Sequence, residues 1–239
     1  MATTCKNCGN VFEGNYCNNC GQPAKTHSIG ASFIAHDLQH GLFHYDMGLL
    51  YSARELFKRP GHTTREYIEG KRVRHYKPIS MLIVVASLYG LLYHALHIDV
   101  FEGQKSDMLD YSQLNDWIAH HYSMITLLLL PVMSLTSFVI FKKQGYNFTE
   151  HFILNSFYST QKLWIRIITL PILYFISAGK PIVMQCLLIV DLLLMFWCYS
   201  EFFVNISRLK VLALSVAATL INLFLVLVIT TLLFAAIYH

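Results

Sequence analysis

Charged side chains are scarce in this chain of 239 residues, where Lys, Arg, Asp and Glu together make up 13%. That share is about half of the one in a soluble domain. Hydrophobic residues make up 55%, and the mean hydropathy is +0.45, which excludes a disordered chain. The counts of 6 Cys and 12 Gly are too low for a small disulfide scaffold or a collagen-like protein. Residues 1–20 lack an apolar run, so we expect no cleavable signal peptide.

The few charges are unevenly distributed. Residues 1–78 hold ten of the 18 Lys and Arg but only six of the 14 Asp and Glu. Residues 79–239 hold eight of each kind and are therefore neutral overall. A small basic head thus precedes a long apolar body, and the two parts require separate interpretation.

The apolar body predicts an all-α polytopic membrane protein. Crossing the hydrocarbon core takes about 20 mostly apolar residues, and five segments qualify: about 79–98, 121–141, 152–177, 181–204 and 209–238. The third segment is the most polar of the five. If it lay in the membrane interface, the last two spans would be inverted.

The orientation follows from the basic residues beside the first span. Eight Lys and Arg lie between Arg54 and Lys77, whereas the loop at 99–116 has one Lys and five acidic residues. Short loops rich in Lys and Arg stay in the cytoplasm. We therefore expect a cytoplasmic N-terminus and a multi-pass protein of a cytoplasmic membrane.

Two CxxCG motifs open the chain, and eight residues separate Cys8 of the first from Cys17 of the second. Each places two thiolates on one ion, and the four together suit a tetrahedral zinc site. Two disulfides or a redox pair are the alternatives, and a reducing cytoplasm argues against both. We predict a zinc ribbon at residues 1–24 with one structural Zn²⁺ per chain, bound by Cys5, Cys8, Cys17 and Cys20. The metal must supply most of the folding free energy of so small a unit.

Residues 25–78 are expected to form cytoplasmic interfacial and juxtamembrane helices. One row of side chains recurs at helical spacing, namely His36, Asp37, His40 and His44. The row predicts either a second metal site or a polar face of an amphipathic helix at the membrane surface. The second interpretation is favoured, because rows of His more often face solvent or lipid headgroups.

Two short helices follow within this region. The pattern predicts a helix at 50–58 that stops at Arg59, Pro60 and Gly61, and another at 63–68 capped by a Thr and ended near Gly70. A basic cluster then meets the first span and is expected to bind anionic lipid headgroups: Lys71, Arg72, Arg74 and Lys77. Nucleic acid is the alternative partner, and the membrane tether favours lipid.

Several of these motifs together resemble a bacterial membrane family known as domain of unknown function 3667. The resemblance covers about residues 5–80 and rests on the ribbon, the His row, Arg59-Pro60-Gly61 and the run Tyr67-Ile68-x-Gly70-Lys71-Arg72. Met47 stands where that family has Lys, which removes one charge beside the His row. The resemblance implies this architecture and a bacterial inner membrane, and it implies no chemistry.

Charged residues inside the spans form the last candidate site: Lys162, Arg166, Asp191 and Glu201. Arg166 and Asp191 lie at matching depths in neighbouring spans, so we expect them to pair. The group is either a polar pathway for an ion, a proton or a small anion, or an interhelical lock.

The favoured function is a membrane-anchored scaffold whose ribbon and basic helices dock a cytosolic protein at the bilayer. A small transporter or channel is the alternative. A membrane-embedded metal enzyme is the least supported, because the chain lacks GxSxG, Walker and dinucleotide-binding motifs. The oligomeric state is left open.

Overall fold

The computed structural model describes residues 2–25, 29–30, 48–100, 111–176 and 179–238. The described part is mostly helical. Seven α-helices follow two short strands, β1 (Thr3–Thr4) and β2 (Val11–Phe12): α1 (Gly48–Leu56), α2 (Pro60–Glu69), α3 (Pro78–Ala95), α4 (Tyr111–Ile140), α5 (Phe148–Phe175), α6 (Lys180–Phe202) and α7 (Arg208–Tyr238). A 3₁₀ turn at Lys142–Gln144 joins α4 to α5.

The helices of the body agree closely with the five apolar segments, except that α4 begins about ten residues earlier than expected. Among the described residues, four helices are long and apolar enough to cross a membrane: α3, α4 from Asn115 onward, α6, and α7 as far as Val228. This composition indicates a multi-pass membrane protein. The third predicted span corresponds to α5, which is long enough but more polar, so its crossing of the bilayer stays a prediction.

Helix α5 lies at the centre of the described helices, which explains why it carries so many polar residues. It contacts α1, α2, α3, α4 and α6, and its N-terminal half is almost continuously buried from Ile153 to Gln161. A capping box between Asn147 and Glu150 starts the helix. Because neighbouring helices cover these polar side chains, the side chains need not face lipid. Hydropathy alone therefore underestimates how readily such a helix crosses a membrane.

Helix α2 begins earlier than the sequence predicted. Pro60 does not stop a helix but starts one, at a position that needs no backbone N–H. The predicted Thr cap is therefore wrong: Thr64 lies inside the helix, where its hydroxyl donates to the Pro60 carbonyl at 2.9 Å. The predicted end is correct, because Gly70 adopts the left-handed conformation at φ 113° and donates to the Glu66 and Tyr67 carbonyls.

Helix α2 crosses α6 at Gly61. A Cβ at this position would overlap the Cys198 carbonyl oxygen and the Phe202 backbone nitrogen. Only glycine lets the two backbones approach so closely. On the buried side of α2, Thr63 and Thr64 are fully covered and Tyr67 is almost fully covered.

Candidate metal centre and intramembrane ion pair

The four ribbon cysteines converge on one point. Their sulfur atoms all lie within 4.8 Å of one another, with 3.5 Å between the Sγ atoms of Cys5 and Cys20 and 3.6 Å between those of Cys8 and Cys17. All four are free thiols. A tetrahedral ion with metal–sulfur bonds of about 2.3 Å would separate its ligands by roughly 3.8 Å. The residues therefore fit a metal ion.

The two CxxCG motifs repeat the same backbone geometry. Cys5 N–H donates to the Asn10 carbonyl and Cys17 N–H donates to the Gln22 carbonyl, both at 2.8 Å. The glycine of each CxxCG motif has a positive φ, 74° at Gly9 and 75° at Gly21. Because a left-handed residue closes each turn, the duplicated glycines follow directly from the turn geometry.

The surroundings of Cys17 favour the thiolate that a metal needs. Burial raises the pKa of this thiol, but hydrogen bonds from the backbone of Asn19 and Cys20 and from the neighbouring thiols outweigh it and lower the pKa of Cys17 to about 6. Burial raises the pKa of Cys5 to about 11 against weaker backbone hydrogen bonds. A bound cation would favour the thiolate at both positions.

The side chain of Gln22 fastens the ribbon to the helices that follow it. Gln22 is 2% exposed; its amide nitrogen donates to the Gly70 carbonyl, and its oxygen accepts from the Arg72 backbone N–H at 3.3 Å. Both partners lie just past the end of α2. Sequence reasoning missed Gln22, which differs from a surface residue only through contacts about 50 positions away.

The predicted headgroup-binding residues divide into two groups. Lys71 pairs with Glu66 at 2.8 Å, and Arg72 donates to the Tyr67 carbonyl at 3.0 Å, so both hold the end of α2. Arg74 is exposed, and Lys77 directly precedes α3. Binding of lipid headgroups by this cluster stays a prediction.

Acidic residues anchor α2 at both ends. Glu66 also pairs with Arg59 at 3.3 Å. Burial alone would raise the pKa of Glu66, but the nearby cations Lys71 and Arg59 outweigh burial and lower this pKa. At the other end, Glu201 of α6 accepts from Gly61 N–H at 3.2 Å. Its second oxygen accepts from the Trp197 indole at 2.8 Å. Glu201 therefore caps a helix from 140 residues away and does not lie with the other intramembrane charges.

The other three charges of the predicted intramembrane group do come together. Arg166 Nη2 lies 2.7 Å from Asp191 Oδ2, and Lys162 Nζ lies 3.8 Å from the same oxygen. Lys162 also lies 5.2 Å from the centre of the Tyr158 ring, whose hydroxyl donates to the Asp191 carbonyl. The pairing expected from matching depths is present, and it leaves two cations against one carboxylate.

A buried polar network joins α4, α5 and α6 beyond the predicted residues. Asn155 donates to Ser137 Oγ at 2.8 Å and accepts from the Tyr199 hydroxyl at 2.9 Å. A ring nitrogen of His151 lies 3.0 Å from the same serine oxygen. Such a network specifies how the three helices pack.

The His36, Asp37, His40 and His44 row lies outside the described residues, so both interpretations of that row stay predictions.

Comparison with known proteins gives one finding. No curated protein and no solved structure matches the chain. Residues 46–90, which contain α1, α2 and most of α3, match the model of a family described as "Protein of unknown function (DUF3667)". Over this segment, the comparison confirms that the chain is similar to that family.

Proposed function

We propose that this chain is a scaffold of a bacterial cytoplasmic membrane, whose N-terminal zinc ribbon docks a cytosolic protein at the bilayer surface. The observation that carries the proposal is the closed ribbon held by Gln22 against the end of α2. A partner bound to the ribbon would thereby be held at a fixed place beside the membrane helices.

Zinc is the metal of this proposal because of its ligand preferences. Four thiolates at tetrahedral spacing suit Zn²⁺, which has no geometric demand of its own. Four sulfur ligands fill the coordination shell, so the ion serves folding rather than catalysis. One ion per chain follows from the single cluster of four cysteines among the described residues.

The basic residues support the orientation and the contact with lipid. The eight Lys and Arg before α3 favour a cytoplasmic ribbon. Arg74 is exposed next to α3, where anionic lipid headgroups would attract it. Nucleic acid is a poorer partner for a cluster tethered at the bilayer.

Docking requires an exposed surface on the ribbon. Two apolar side chains meet this need, since Val11 is 62% and Tyr16 66% exposed while the intervening Phe12 is buried. Exposed aromatic residues are frequent anchors in protein interfaces. A photoreactive amino acid at Tyr16 of the full-length protein should yield one defined crosslinked partner in cells.

A matched pair of variants tests this surface. Val11→Ser with Tyr16→Ser should abolish the crosslink from a probe at Glu13, whereas Lys6→Ser, another exposed ribbon change, should preserve it. Zinc content should stay at one ion per chain in both variants. A crosslink that persists in the Val11/Tyr16 variant would contradict the docking proposal.

The excess positive charge among Lys162, Arg166 and Asp191 supports a second candidate, a small-anion transporter. The direct pairing of Arg166 with Asp191 favours a structural lock instead. Anion flux into proteoliposomes that Lys162→Gln abolishes would support transport over scaffolding.

A further inference from the structure

Imidazole side chains gather at the end of α3 and the start of α4. The ring centroids of His94 and His120 are 4.1 Å apart, and those of His94 and His97 are 6.1 Å apart. His94 lies 16 residues beyond Pro78, or about 24 Å along the helix. The cluster therefore lies at the end of α3 opposite to that of the ribbon.

The hydrogen bond of His120 determines which of its nitrogens is free. Its Nδ1 lies 2.8 Å from the Asp116 carbonyl oxygen, which can only accept, so Nδ1 carries the proton. In the neutral ring, Nε2 then keeps its lone pair. Metal-binding histidines in proteins typically have this arrangement, with one ring nitrogen donating to a carbonyl and the other facing the ion.

The backbone of His97 is unusual. Among the described residues, His97 is the one non-glycine residue with a positive φ, at 48°. Its N–H donates to the His94 carbonyl at 3.0 Å, so His97 lies in the turn that ends α3. Its ring stays near His94 and is exposed.

A cavity of about 290 Å³ between α3 and α4 adjoins the cluster. His94 and His120 line it together with the hydroxyl-bearing Ser87 and Ser123. The helices approach closely at Gly90, where a Cβ would lie 2.9 Å from the Ala119 carbonyl oxygen. The cavity gives a bound ion room for water or another small ligand.

We infer that His94 and His120, with His97 as a third ligand, bind a divalent transition metal such as Cu²⁺ or Zn²⁺. Imidazole nitrogen is the ligand that these ions share. Three protein ligands leave an open coordination position facing the cavity. The ribbon, by contrast, offers four thiolates and no open position.

Copper binding to the full-length protein in lipid nanodiscs tests the inference. To remove competing imidazoles, the background carries Gln at His36, His40 and His44. Cu²⁺ titrated into this protein should give an electron paramagnetic resonance spectrum with nitrogen hyperfine splitting. His94→Gln and His120→Gln should each weaken binding at least about tenfold, the lower end of what supporting residues contribute.

His121→Gln is the matched control. His121 is the next residue after His120, and its Nδ1 also lies close to a backbone carbonyl oxygen, at 2.9 Å. Its ring, however, stacks on the Trp117 ring, with 4.6 Å between the ring centroids. Its replacement should leave copper affinity unchanged. Equal losses in the His121 and His120 variants, or unchanged affinity in both the His94 and His120 variants, would overturn the inference. All three side chains are exposed, so folding should be preserved, and an unchanged zinc content of the ribbon checks this.

Discussion

Removal of the Asp191 charge should destabilise the helical body more than removal of the Arg166 charge. Asp191 is the only acidic residue of the three-charge cluster with Lys162 and Arg166. Asp191→Asn leaves two cations without a counter-charge. Arg166→Gln leaves Lys162 and Asp191, whose opposite charges cancel.

The distances determine the size of this asymmetry. Coulomb attraction falls as the inverse of distance, so Lys162 at 3.8 Å retains about 70% of the attraction that Arg166 has at 2.7 Å. Stranding a buried charge by removing its partner costs about 3–5 kcal/mol. We therefore expect Asp191→Asn to lower the free energy of unfolding by about 3 kcal/mol or more, and Arg166→Gln by clearly less.

Unfolding in mixed detergent micelles, followed by circular dichroism, measures both values. Arg208→Gln is the control, since it also removes one positive charge but from an exposed position at the start of α7. The double variant of Arg166 and Asp191 should be more stable than Asp191→Asn alone, because it strands one cation rather than two. If Arg166→Gln lowered the free energy of unfolding as much as Asp191→Asn, or more, this description of the cluster would be refuted.

Three further outcomes are expected. Gly61→Ala should sharply reduce the folded yield in membranes, because the new Cβ overlaps the backbone of α6, whereas Gly30→Ala meets no atom within 4 Å and should be neutral in the same yield assay. Burial lowers the pKa of His75 below its ordinary 6.5. The unfolded chain therefore binds this proton more readily, stability should fall as the pH drops below about 6.5, and His75→Phe should reduce that slope in unfolding titrations from pH 8 to 5. Cys8→Ser or Cys17→Ser should abolish stoichiometric zinc in elemental analysis, and unchanged metal content in both would contradict the ribbon assignment.

The ribbon was predictable because its information is local. The CxxCG spacing determines both the turns and the convergence of the thiols, and each glycine closes the turn of its own motif. The helix positions in the body were predictable for a similar reason, since length and apolar composition act within each segment.

Contacts between distant segments were not predictable in this way. The polarity of the third segment was visible in the sequence, but the partners of its polar residues were not: Asn155 joins Tyr199 in one network, and Arg166 joins Asp191 in another. Pro60 resembled a helix stop because its missing N–H is unfavourable anywhere but in the first turn. Only the fold shows that the cap of this helix comes from Glu201.

The position of Glu201 imposes an order on biosynthesis. During translation, α2 leaves the ribosome 140 residues before the carboxylate that accepts from its first N–H groups. The N-terminus of α2 therefore cannot be completed until α6 has been made. Gln22 bonds just past the other end of the same helix, so α2 links the ribbon to the last part of its own cap to be synthesised.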